Sequence, residues 1–229
     1  MTNNHSFYKV QYKILFLLIL GCTVMAIVDG WIQPSYLYKS LIKILFFLVI
    51  PCIVLRQHLF FLKSLVIPTK QGLCRSLILG FVLYCLILAG YGIVSQFYDF
   101  STLTTIINQN VGVNKDNFLY VSLYISFCNS FLEEFFFRGI AFIGLKQYIS
   151  RKYAYLISAF AFAIYHVALM DGWFSLGLLI LMIVGLMIGG YLFNILDEKS
   201  ETIYASWMVH MFANFSINTI GFFLFGLIS

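Results

Sequence analysis

The sequence predicts an all-α fold, a polytopic transmembrane helical bundle of about seven or eight spans. Hydrophobic residues make up 62% of the 229 positions and charged residues only 10%, whereas soluble domains carry about 25% charged residues. The apolar runs are long, and they lack the alternation expected of strands in an outer-membrane barrel. The length suits a single bundle, so we expect one structural unit.

Residues 1–117 form a predicted N-terminal region of three spans with loops. Its apolar runs place these spans at about 13–29, 40–62 and 75–97. The second run is interrupted by Pro51, Arg56 and His58. It is therefore either a kinked span or a span followed by an interfacial segment. The Thr- and Asn-rich stretch 98–117 is predicted to be a loop.

Residues 118–229 form a predicted core of four helices. The spans are placed at about 118–145, 153–170 and 173–196, and the last runs from about 202 almost to the C-terminus. Asp171 and Gly172 are expected to form a tight turn, and residues 197–201 a polar break. Gly185, Gly189 and Gly190 are expected to let two helices pack closely.

Basic residues at the span ends predict a cytoplasmic N-terminus. This orientation gathers on one side Lys9, Lys13, Arg56, Lys63, Lys70, Arg75, Lys146, Arg151 and Lys152. The opposite loops hold only Lys39 and Lys115 as basic residues. The net charge of +5 is therefore interpreted as a signal that sets the orientation of the spans, and no nucleic-acid partner is expected. The expected location is the cell (plasma) membrane. The Phe-, Ile-, Tyr- and Lys-rich composition suggests a low-GC bacterium.

Three charged residues interrupt the fourth predicted span, namely Glu133, Glu134 and Arg138. One charge at that depth costs at least about 2.5–3.5 kcal/mol on insertion scales. Glu134 and Arg138 are four residues apart and can form a salt bridge on one helix face. That pairing leaves Glu133 without a partner, so another part of the fold must face it.

Two histidines and an asparagine reach a similar depth on other predicted spans. Counted from the same ends of their spans, Glu133, His166 and Asn214 each lie thirteen residues in, or about 20 Å, and His210 lies about one turn shallower. A lone buried histidine is usually a hydrogen-bonded core residue, and a lone asparagine usually joins two helices. At matched depth inside a membrane bundle, the set indicates a functional site.

These residues also carry a family resemblance. Glu133-Glu134-x-x-x-Arg138, Phe162-x-x-x-His166 and His210-x-x-x-Asn214 follow one another on successive predicted helices. Together they resemble the three motifs of the CAAX-protease and bacteriocin-processing family of intramembrane endopeptidases, often called Abi in bacteria. The resemblance covers roughly residues 118–220, and it makes residues 118–229 the expected catalytic core.

The resemblance implies a role for each motif residue. Glu133 and His166 would activate a water, while His210 and Asn214 would stabilise the oxyanion. Glu134 and Arg138, with Phe162 of the second motif, would support the site. The family has long been labelled metalloprotease, and Glu133, His166 and His210 could ligate Zn. The glutamate mechanism requires no cofactor, and we favour it.

The expected function is hydrolysis of a small membrane-associated or lipid-anchored peptide. Candidate substrates are a pheromone precursor, a bacteriocin leader or a sequence tied to self-immunity, whereas prenylated substrates are not expected in a bacterium. One alternative is a non-proteolytic immunity or scaffold protein on the same fold. A less favoured alternative is an ion-coupled transporter that uses the buried charges as a relay.

Overall fold

The computed structural model describes residues 3–58, 70–170, 172–200 and 202–228, and every regular element in these ranges is helical. Five helices there are long and apolar enough to cross a membrane. They are Lys9–Ile32, Tyr36–Val54, Gly72–Val94, Arg151–Leu169 and Leu176–Ser200. The predicted class, an all-α membrane protein with several spans, is confirmed.

The described part of the N-terminal region, residues 3–58 and 70–117, contains five α-helices and two π-helical turns. In chain order they are α1 (Asn3–Ile27) with the π turn Val28–Ile32, α2 (Tyr36–Ile44) with the π turn Leu45–Val49, α3 (Ile50–Val54), α4 (Lys70–Val94) and α5 (Leu103–Val111). Helix α5 lies within the stretch 98–117, so the prediction of a plain loop there is wrong. Pro51 lies at the first turn of α3, where its missing N–H is tolerated.

The C-terminal region is built on one long composite helix, 118–144. It consists of α6 (Phe118–Tyr124), the π turn Ile125–Asn129, α7 (Ser130–Glu133) and the π-helical segment Glu134–Gly144. Three further helices follow, namely α8 (Arg151–Leu169), α9 (Leu176–Ser200) and α10 (Tyr204–Leu224). Helix α9 continues through Asp197, so the predicted break at that residue is wrong.

The predicted count of seven or eight spans is not confirmed. The composite helix 118–144 and α10 are absent from the five candidate spans among the described residues. Helix 118–144 changes between α and π geometry three times, and α10 carries His210, Asn214 and Asn218. Residues 59–62 of the second predicted span, Lys63, Asp171 of the predicted turn and Glu201 of the predicted break lie outside the described residues.

Helix 118–144 occupies the centre of the bundle. It contacts α1, the π turn Leu45–Val49, α8, α9 and α10. Its side chains Phe136, Phe137 and Phe142 are fully buried, and Phe47 stacks on Phe136 with 4.2 Å between ring centroids. By contrast, α4 packs mainly on α10, and only 6% of its apolar stretch is buried. The charged motif therefore lies on the innermost helix.

Of the three glycines predicted to pack between helices, only Gly190 does so. A Cβ added there would lie 3.2 Å from the Phe162 ring and 3.3 Å from Ala159 Cα. Around Gly185 and Gly189, no described atom lies within 4 Å of such a Cβ. Gly190 thus allows α9 to approach α8 beside the motif residues.

Candidate active site

The two adjacent carboxylates point in different directions from helix 118–144. Glu133 is the last residue of α7, and Glu134 begins the π-helical segment. Successive residues of a helix are rotated by about 100°, so the two side chains meet different neighbours. Both are buried, Glu133 at 3% exposure and Glu134 at 0%. π-helical segments within α-helices often coincide with functional sites.

One oxygen of Glu133 is held by two donors. Lys43 Nζ lies 2.5 Å from Oε1, and Asn129 Nδ2 donates to the same oxygen at 3.0 Å. Lys43 also donates to Asn129 Oδ1 at 2.5 Å. Lys43 of α2 is therefore the partner that the sequence required for Glu133 but did not identify.

The other oxygen of Glu133 faces two imidazoles. Oε2 lies 3.9 Å from His166 Nε2 and 3.7 Å from His210 Nε2. Both distances exceed a direct hydrogen bond, so Oε2 makes no direct hydrogen bond to either ring. His166 Nδ1 lies 2.7 Å from the Phe162 carbonyl oxygen, and a carbonyl only accepts, so Nδ1 carries the proton. In the neutral ring, His166 Nε2 is thus a proton acceptor.

The Glu134 side is closed by direct contacts. Its Oε1 lies 2.7 Å from His210 Nδ1, and its Oε2 lies 3.2 Å from Arg138 Nε. Arg138 is fully buried, and its guanidinium stands over the Phe162 ring at 4.0 Å and over the Phe193 ring at 5.0 Å. The salt bridge predicted from the spacing of Glu134 and Arg138 is present, and the predicted support residue Phe162 contacts its cation.

A third buried carboxylate, that of Asp197, positions the helix that carries His210. Asp197 of α9 is fully buried, and its Oδ1 accepts from the backbone N–H of Ser206 at 3.0 Å. Its Oδ2 accepts from the Ser206 hydroxyl at 2.7 Å. The first N–H groups of a helix have no partner within the helix. Asp197 satisfies one of them and fixes α10 one turn before His210.

Helix α8, which carries His166, is fixed to the motif helix by buried polar groups. The Ser158 hydroxyl contacts the Phe137 carbonyl oxygen at 2.8 Å and Asn194 Oδ1 at 3.1 Å. The Asn194 amide donates to the Tyr155 carbonyl oxygen at 3.2 Å. Buried polar groups that find partners in this way specify one helix arrangement.

Asn214 is one turn beyond His210 on α10 but contacts a different part of the motif helix. Its amide donates to the Ile125 carbonyl oxygen at 3.1 Å. The amide has a second N–H, which remains a candidate donor to a substrate. The structure thus brings Glu133, His166 and His210 together, and it places Asn214 beside them rather than in contact.

Sequence reasoning missed Lys43, Asn129 and Asp197. Lys43 interrupts the apolar run 41–55, and that interruption is the signal that could have identified it. Asn129 lies four residues before Glu133, on the same face of the helix. Asp197 stands near Glu198 and Lys199, so its position near the helix end suggested a loop.

Glu133, His166 and His210 are the possible zinc ligands predicted from the sequence. No group of three or more His, Cys, Asp or Glu in the described parts of the chain is arranged to hold a metal ion. Lys43 Nζ also lies 2.5 Å from Glu133 Oε1, and an ammonium at that distance repels a second cation. The residues present do not fit a zinc site of the expected composition.

Comparison with known proteins gives one match. Residues 115–216 match the family model described as Type II CAAX prenyl endopeptidase Rce1-like. The resemblance inferred from the three motifs is thereby confirmed, and the match supports an intramembrane protease activity. No curated protein and no solved structure matches the chain significantly. All three motifs lie within the matched segment, whereas Lys43 lies outside it.

Proposed function

Because residues 115–216 match the Rce1-like CAAX endopeptidase family, we propose that the protein is an intramembrane endopeptidase whose Glu133 and His166 activate a water. One observation carries this proposal. The Nε2 atoms of His166 and His210 both face Glu133 Oε2, at 3.9 Å and 3.7 Å. A carboxylate and an imidazole that share a water are a suitable general-base pair.

In the proposed first step, the water oxygen attacks the carbonyl carbon of the peptide bond. Glu133 Oε2 accepts the proton that the water loses, and His166 Nε2 orients the water through its second hydrogen. The carbonyl π electrons move to the oxygen and form the oxyanion. Lys43 and Asn129 keep the other Glu133 oxygen in place throughout.

The oxyanion requires donors aimed at it before it forms. The second N–H of the Asn214 amide is one such donor. His210 supplies the other when Nε2 is protonated, and Glu134 at 2.7 Å from Nδ1 then balances the imidazolium charge. Collapse of the intermediate breaks the C–N bond. The protonated Glu133 returns its proton to the departing amine nitrogen.

Burial of the site favours this chemistry. Glu133 is 3% and His210 7% exposed, so bulk water does not solvate the reacting groups. Charge interactions are stronger in such an environment. In the proposed mechanism Glu133 and His166 activate the water without a metal.

The proposed setting is a bacterial cell membrane with the N-terminus in the cytoplasm. The proposed substrates are small membrane-associated or lipid-anchored peptides, such as a pheromone precursor, a bacteriocin leader or a peptide of self-immunity. The positive-inside pattern supports the orientation. The exposed apolar surface, which is rich in leucine and isoleucine, suits a substrate that arrives through the bilayer.

The proposal is tested by comparing membrane peptides from cells that express the wild type, Glu133→Gln or Asp116→Asn. Asp116 is an exposed carboxylate outside the site, so Asp116→Asn is the matched control. We expect precursor peptides to accumulate with Glu133→Gln alone, and their cleaved products to appear with the other two. An identical peptide pattern in all three would favour the non-proteolytic alternative.

A further inference from the structure

Lys43 differs from the other site residues in its origin. It lies on α2, in the N-terminal region, while the residues matched to the family model begin at 115. Yet it is 5% exposed, and it reaches Glu133 across ninety residues of sequence. Burying a lysine within an apolar helix costs free energy unless an anionic partner pairs with its charge.

The contacts of Lys43 are unevenly distributed over the Glu133 carboxylate. Lys43 Nζ and Asn129 Nδ2 both donate to Oε1, at 2.5 Å and 3.0 Å. The two imidazole Nε2 atoms face Oε2 from beyond hydrogen-bond distance. A salt bridge that only neutralised charge could use either oxygen. Here one oxygen is clamped, and the other is directed towards the histidines.

The ammonium group of Lys43 is itself held in place. It stands 4.9 Å from the centroid of the Tyr165 ring and 5.3 Å from that of the Phe47 ring. Both distances are within the range of cation–π attraction. Asn129 Oδ1 accepts from the same ammonium at 2.5 Å. Lys43 is therefore a fixed support rather than a mobile counterion.

We infer that Lys43 is a positioning residue for the reaction, which clamps Glu133 Oε1 so that Oε2 faces the water between the histidines. This inference rests on the proposed function. It makes the N-terminal region part of the active site, because Lys43 lies outside the matched segment and shares the clamp on Glu133 Oε1 with Asn129.

The first test measures the Lys43–Glu133 pairing without any activity assay. Glu133→Gln leaves the Lys43 charge buried without its counterion, which is strongly destabilising. We expect the melting temperature to fall in Glu133→Gln and to return towards the wild-type value in the double variant Lys43→Met/Glu133→Gln. Additive losses in the double variant would overturn the pairing.

The second test measures turnover of a cleaved peptide in proteoliposomes. We expect Lys43→Met to lower kcat on the order of 100-fold, with KM nearly unchanged and with partial rescue in Lys43→Arg. Lys39→Met is the matched control, because Lys39 is a buried lysine one turn away that pairs with Asp29 at 3.3 Å. Equal losses of kcat in Lys43→Met and Lys39→Met, or an unchanged kcat in Lys43→Met, would overturn the positioning role.

The two tests separate this inference from the proposed function. If Glu133→Gln retains wild-type turnover, the proposed function fails, and Lys43 has no reaction to support. If Glu133→Gln is inactive while Lys43→Met keeps its kcat, the proposed function stands and the inference alone is overturned.

Discussion

Glu133 and Glu134 are adjacent and chemically identical, yet their surroundings differ. Glu133 has one oxygen clamped by Lys43 and Asn129 and the other facing two imidazole nitrogens at 3.7 and 3.9 Å. Glu134 touches all its partners directly and is fully buried with Arg138. The helical rotation between neighbouring residues lets one carboxylate face the reaction and the other hold the site together.

This difference predicts that a change at His166, which faces Glu133, mainly alters turnover, whereas changes to the Glu134–Arg138 pair mainly alter stability. The largest effect is expected for His166→Ala. Loss of a general acid–base partner lowers rates by about 10²–10⁴-fold, while the half-buried ring contributes less to the core. Turnover and melting temperature should be measured on the same preparation. If His166→Ala showed a large fall in melting temperature with preserved turnover, His166 would support the fold rather than the reaction.

A large loss of stability is expected for Glu134→Gln, since Arg138 then remains charged and buried without its counterion. Breaking such a pair costs about 3–5 kcal/mol. The double variant Glu134→Gln/Arg138→Met removes both charges and should recover much of that loss, as measured by thermal denaturation. If Glu134→Gln melts like the wild type, the Glu134 side is not a structural ion pair.

A smaller effect is expected for Gly190→Ala, which adds a methyl group beside the buried Glu134–Arg138 pair. The new Cβ would lie 3.2 Å from the Phe162 ring and 3.4 Å from Arg138 Nη2. Overpacking of this kind costs about 1–3 kcal/mol, which should lower the melting temperature. Gly189→Ala is the control, because its Cβ would meet no described atom within 4 Å. Equal melting temperatures for the two variants would contradict the close approach of α8 and α9.

The smallest effect is expected for Ser158→Ala, which removes the hydroxyl that contacts Phe137 O and Asn194 Oδ1. A neutral hydrogen bond contributes about 1 kcal/mol, so a modest fall in melting temperature should accompany nearly normal turnover. Ser95→Ala, at an exposed serine, provides the baseline. A large fall in turnover with only a small fall in melting temperature would show that the loss of this hydrogen bond displaces α8, and with it His166.

The sequence was sufficient to predict the fold class and to locate the candidate site. Composition identified the helical membrane class, and the cost of buried charge singled out Glu133, Glu134 and Arg138. The depth comparison matched Glu133 with His166 and Asn214 and placed His210 about one turn shallower. The structure brings the two histidines to Glu133 and leaves Asn214 out of contact with it. These inferences depend on local spacing and on the bilayer, and both can be read from one chain.

Other features depend on which helices become neighbours, and they were not predictable. The contact between Lys43 and Glu133 joins residues ninety positions apart. The local sequence around either residue does not identify its partner. Asp197 was assigned to a break because polar residues surround it, although its partner Ser206 lies across the turn. The π geometry of Glu134–Gly144 was not predicted either; this segment packs against α1, the π turn Leu45–Val49, α8 and α9.

In the proposed mechanism Glu133, and not its neighbour, removes the proton from the attacking water. This role is tested by the single-turnover cleavage rate of a reconstituted peptide substrate with equal amounts of folded wild type, Glu133→Gln and Glu134→Gln/Arg138→Met. We expect a loss of about 10²–10⁴-fold for Glu133→Gln and a clearly smaller loss for the double variant. Wild-type cleavage by Glu133→Gln would contradict this role.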